Sequence, residues 1–240
     1  MLNFFSLPGE VRNIVYHKAL VRDQEILYIY NDICHPKGPR LSSLVVLGDR
    51  NPQQSEASRD GNNNPVSAIL LANKHINAEA TPILYSQNIY RLESSHTDYI
   101  INKFLGSIGS HNAGHIAHLC IAFPNFTAEE STYPNNIVFG CQRVVRNIRH
   151  HCLNLDVLEI LMPPGCYAGY LTNPEPNESP GLAIKTLSFV DTECKLFTGL
   201  KEVIVHVWER THHPAVRAEL RRCGWTIRLE PDVQDGDVFW

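Results

Sequence analysis

The side chains best suited to hold a metal ion cluster at His111, His115 and His118, with Cys120 just beyond. His111 and His115 stand four apart, the spacing that brings two imidazoles to one face of a zinc-binding helix. The glutamate that would follow the first histidine in a hydrolytic zinc motif is absent, because position 112 is Asn112. Residues 116–123 also read as a strand, which sends neighbouring side chains to opposite sides. The cluster is therefore read as polar loop histidines, as are His150-His151 and His212-His213, and no metal or cofactor is assigned. Arg143, Arg146, Arg149 and His150 form one basic stripe, and Arg217, Arg221 and Arg222 another. Such stripes can bind phosphate, but on amphipathic helices they read as solvated outer faces. No aromatic residues interleave them for base stacking, so nucleic acid is not an expected partner. No G-x-S-x-G elbow, Walker loop, G-x-G-x-x-G turn or kinase motif set occurs, and the expectation is a non-enzymatic chain.

Composition agrees with an ordinary folded protein. Apolar residues make up 43% and charged residues 19% of the 240 positions, and the formal net charge is -4. That charge gives no global attraction to nucleic acid or to an anionic membrane. No apolar run approaches the roughly 20 residues that span a bilayer. Residues 1–20 lack the basic start and small-residue cleavage site of a signal peptide. The seven cysteines form no C-x-x-C pair and read as free thiols of a reducing compartment. An intracellular location, cytoplasmic or nuclear, is expected.

The elements that must position these residues follow from periodicity. Pro8 suits the first turn of a helix, Glu10 complements its dipole, and Val11, Ile14, Val15 and Ala19 recur along one apolar face. Leu27-Tyr28-Ile29-Tyr30 and Leu44-Val45-Val46-Leu47 have strand composition, and the polar stretch 48–65 reads as a mobile loop. Ile69, Ala72, Ile76 and Ala80 predict a second helix, interrupted at Thr81-Pro82, where Thr81 could cap a fresh turn.

From residue 97 the pattern alternates. A helix from Tyr99 ends near Gly109, a strand spans 116–123, a helix 137–151 and a strand 155–161. A proline-rich loop spans 163–181, and then come a strand at 203–208, a helix at 215–222 and a strand at 225–229. One strand per helix implies a parallel sheet with right-handed crossovers. Leu155-x-x-Leu158-x-Ile160 and Leu200-x-x-Val203-x-Val205 fit the strand signature of leucine-rich repeats, although two of the three strand-to-strand intervals exceed that range. The expected fold is α/β, with α+β as the alternative: amino-terminal helices packed on an irregular, repeat-like layer of alternating helices and parallel strands. Residues 1–92 form the first region and 93–240 the second, packed as one unit.

Two blocks carry a resemblance. Leu7 to Leu20, with Leu7-Pro8-Gly9-Glu10-Val11-Arg12-Asn13-Ile14-Val15-Tyr16 at its start, and Ile69 to Tyr90 resemble, in order, the two sequence elements of the fungal F-box-like family. The resemblance implies a substrate-recruiting adaptor of a ubiquitin ligase, in which the amino-terminal helices contact a Skp1-type adaptor and the α/β layer recruits a target protein. Leu7, Pro8, Val11, Ile14 and Tyr16 are the matched positions for the first contact. Read without the resemblance, Leu7, Val11 and Ile14 fit equally a helix face buried in the chain's own core, and exposure separates the two. A stand-alone structural or ligand-binding domain, and a hydrolase or metal enzyme built around the histidines, are the alternative classes.

Overall fold

Alternation within the strands sets the layers of this molecule. The computed structural model describes residues 4–21, 26–31, 41–46, 65–92, 97–123, 134–162, 181–208 and 214–230. In chain order the elements are α1 (Gly9–Leu20), β1 (Ile26–Asn31), β2 (Leu41–Val46), α2 (Pro65–Ala72), α3 (Lys74–Gln87), β3 (Ile89–Leu92), α4 (Thr97–Ala113), β4 (His118–Ala122), α5 (Pro134–His151), β5 (Val157–Met162), α6 (Gly181–Cys194), β6 (Glu202–Trp208), α7 (Pro214–Arg222) and β7 (Thr226–Glu230). The strands form one seven-stranded sheet in the order β2-β1-β3-β4-β5-β6-β7. β1 and β2 are antiparallel, and every other neighbouring pair is parallel. The chain is therefore mixed α/β, and the sheet runs without a break across the boundary expected at residue 92. No helix among the described residues is long and apolar enough to cross a membrane.

From β3 to β7 each crossover steps the same way along the sheet, so right-handed connections place α4, α5, α6 and α7 on one face. That face carries Tyr90 and Leu92, Leu119 and Ile121, Leu158 and Ile160, and Val203, Val205 and Val207, all buried in one apolar core. Val144, Val145 and Ile148 of α5 and Leu187 and Val190 of α6 complete it from the helix side. The other face presents His118, Glu159, His206, Arg228 and Glu230, interleaved with Cys120, Leu161 and Ile204.

The helices are also joined by polar side chains. Arg143 of α5 pairs with Asp98 of α4, and Arg146 and Arg149 reach Glu193 of α6 at 2.8 and 3.4 Å. On α7, Glu219 accepts from Ser188 of α6 at 2.8 Å and from Arg222. The α5 stripe keeps the solvent exposure expected of it at Arg143 and Arg146, and it also bridges both neighbouring helices, with Arg146 and Arg149 supplying the countercharge that buried Glu193 requires.

Three local outcomes depart from the sequence expectation. The second helix breaks at Asn73, not at Thr81-Pro82. Asn73 is extended (φ -163°, ψ 143°) and its side chain accepts from the His75 backbone N–H at 2.7 Å, capping α3. Pro82 stays inside α3, where buried Ala80, Thr81 and Leu84 hold the turn that carries it. β3 and α6 were not expected: β3 has only four residues, and α6 interrupts its apolar positions with Thr186, Asp191 and Glu193. Gly109 does break α4 as expected, with φ +77°, before one further turn to Ala113. The expected loops at 48–65 and 163–181 lie outside the described residues except for Pro65 and Gly181, which open α2 and α6, and the aromatic tail lies outside them too. So do Cys34, Cys166 and the side chain of Cys141. Cys120, Cys152, Cys194 and Cys223 are buried thiols outside any disulfide.

Candidate functional site

Helix α1 presents two faces of opposite character. Arg12, Tyr16 and Leu20 stand four residues apart and line the inner face. Tyr16 and Leu20 are buried, while Val11, Ile14 and Val15 are 40%, 61% and 44% exposed. Pro8 is exposed at the helix start, and Leu7 is half-buried. Of the five positions matched to the adaptor contact, Pro8, Val11 and Ile14 therefore face outward, Leu7 lies at the margin, and Tyr16 is turned into the protein. Phe5 and Leu71 add exposed apolar surface nearby in the same helical region, Leu71 at 83%.

The inner face explains this orientation. Arg12 donates two hydrogen bonds to Glu79 of α3, at 2.9 and 2.6 Å, and a third to the Leu7 carbonyl at 2.6 Å. The Tyr16 hydroxyl donates to the same Glu79 carboxylate at 3.0 Å, and His75 lies 3.2 Å from it. This fork-like pairing holds the Glu79 carboxyl down at about 2, chiefly through the Arg12 hydrogen bond. Burial, with the Glu79 contact, raises the Tyr16 phenol. At the far end of α1, Asn88 donates to the Leu20 carbonyl at 3.1 Å and to the Leu84 carbonyl at 2.8 Å, and the Tyr90 hydroxyl also donates to Leu84. The two sequence blocks that carry the family resemblance are thus tied to each other through Arg12, Tyr16, Leu20, Glu79 and Asn88. Arg12, Glu79 and Asn88 were not singled out from the sequence. Their signal is a charged or amide side chain recurring at fixed places inside two apolar patterns.

The sheet face opposite the helices holds a second polar arrangement, largely buried at Glu159 and His206. Glu159 of β5 accepts from His118 of β4 at 2.8 Å and from His206 of β6 at 2.7 Å, with Arg228 of β7 at 3.7 Å. The other ring nitrogen of His206 meets Glu230 of β7 at 2.6 Å. Burial works to raise the Glu159 carboxyl, but the hydrogen bonds from the two histidines carry it below the ordinary range. The Glu159 contact raises His206, helped by Glu230 and opposed by burial. His118 is thereby separated in role from His111 and His115, whose rings meet edge to face at 5.0 Å. Among the described residues no group of three histidine, cysteine, aspartate or glutamate side chains is disposed to hold a metal ion. The sequence signal for this face was a polar residue inside each apolar strand, as in Leu155-Asp156-Val157-Leu158-Glu159-Ile160-Leu161.

Against protein-family models, curated proteins and solved structures, the chain shows no match.

Proposed function

We propose that this chain is a non-enzymatic protein-interaction module, a substrate-recruiting F-box-like adaptor whose α1 docks on a Skp1-type partner. The observation that carries the reading is the exposure of Val11, Ile14 and Val15 on a helix whose inner face is already fully engaged. A helix that turns three adjacent branched apolar side chains to water leaves apolar area that a partner surface would bury favourably. The resemblance supplies the occupant, a Skp1-type adaptor. The sheet with its helices on one face then acts as an irregular repeat-like layer, and the more exposed Arg228 and Glu230 of β7 offer charged groups to a target protein. The chain is expected to act inside the cell and to need no cofactor.

The test is co-purification of the full chain with a Skp1 homologue, for the wild type and for Val11→Asp and Ile14→Asp. Both positions are exposed, so the variants should stay folded by circular dichroism and lose the partner. Absence of wild-type binding defeats the adaptor reading. It would favour a self-contained domain, in which the Arg12–Glu79 clamp serves only to pack α1 on α3.

A further inference from the structure

We infer that the sheet face opposite the helices carries a proton-dependent latch, in which an imidazolium at His206 bridges Glu159 of β5 and Glu230 of β7 and fastens strand β7. The argument begins with hydrogen-bond inventory. Both ring nitrogens of His206 lie against carboxylate oxygens, Nε2 at 2.7 Å from Glu159 and Nδ1 at 2.6 Å from Glu230. An ionised carboxylate only accepts, and a neutral imidazole has one N–H to give. Two such contacts at these lengths are satisfied together only by the protonated ring. Once the proton leaves, one nitrogen turns a lone pair toward an oxyanion, and two carboxylates face a ring without the cation between them.

Every neighbour on that face bears on the same balance. Glu159 is additionally held by His118 and approached by Arg228. Cys120 of β4 and Arg91 of β3 share the face by alternation, and Glu202, earlier on β6, accepts from Thr226 at 2.7 Å. The described helices pack on the opposite face. Strand β7 depends on the bridge more than any inner strand does. Among the described residues it pairs on one side, with β6, and of its five residues Ile227 packs against the core.

The sign follows from His206 being raised in the folded chain. The latch is fully closed below the ordinary histidine value of about 6.5 and opens as pH rises through the higher folded value. Glu159, held low, would release it only in strong acid.

The experiment is a ring-resonance NMR titration of His206 in the full chain, assigned with His206→Asn. It is joined to amide hydrogen exchange of residues 226–230 from pH 6 to 9, corrected for intrinsic rates. His206 should titrate above the ordinary value. The protection of β7 should fall with rising pH by about tenfold for each unit of that elevation, while β4 amides hold steady. In His206→Gln the β7 protection should be low and flat across the range. Glu230→Gln, which leaves Glu159 in place, should lower the His206 midpoint, and it carries the test if the first variant does not fold. A His206 midpoint at or below the ordinary value overturns the latch. So does an unchanged pH course of β7 exchange in His206→Gln.

Discussion

Helix α1 and strand β5 place similar side chains in opposite directions. In α1, Val11, Ile14 and Val15 face out while Arg12 and Tyr16 turn in; in β5, Leu158 and Ile160 turn into the core while Glu159 faces the side opposite the helices. The strand is held as most elements are, by apolar burial, and its polar residue joins a largely buried histidine–carboxylate network. The helix is held by a polar clamp to Glu79 and by Tyr16 and Leu20, which leaves much of its branched residues' surface outside the core. The difference teaches where to look for a docking surface: apolar residues that stability does not use are available for a partner.

That contrast can be broken at its strongest point first. Leu158→Ala removes a fully buried side chain between two sheet neighbours, and chemical denaturation should show a loss of about 3 kcal/mol. Asn88→Ala removes the buried amide that donates to the Leu20 and Leu84 carbonyls, leaving Leu84 the Tyr90 hydroxyl, and should cost about 2 kcal/mol by the same measurement. Tyr16→Phe keeps the packed ring and loses only the hydroxyl bond to Glu79, so about 1 kcal/mol is expected.

Acid should loosen the clamp. Glu79 is held at about 2, below its ordinary value, so its contribution is complete above the ordinary carboxylate range and is lost as pH falls through about 2. Amide exchange across α1 should report that loss in the wild type and show no such step in Glu79→Gln. The smallest effect on stability belongs to Ile14→Asp, within about 0.5 kcal/mol, although that variant should abolish partner binding. A large destabilisation by Ile14→Asp would erase the distinction between the two regions.

Much of the fold was legible because its signals are local. The strands from 116 onward, the helix over 137–151 and the break at Gly109 follow from periodicity and from one glycine's conformational freedom. α6 was not legible, since Thr186, Asp191 and Glu193 are polar yet buried, and the facing Arg146 and Arg149 supply the countercharge of Glu193 there. The break at Asn73 was missed for a similar reason. Pro82 is the stronger breaker in isolation, but packing of Ala80 and Leu84 outweighs the single backbone donor it removes.

The candidate site divides along the same line. Periodicity alone marked Val11, Ile14 and Val15 as one stripe, and the paired blocks named the family resembled. Which way that stripe faces was decided by residues 60 or so positions away along the chain, because Glu79 recruits Arg12 and Tyr16 to the inner side. The His118–Glu159–His206–Glu230 row exists only once four strands lie in register, since its members come from β4, β5, β6 and β7. Local pattern fixes what a segment can form; the pairing of distant charges and the sheet register fix what it presents.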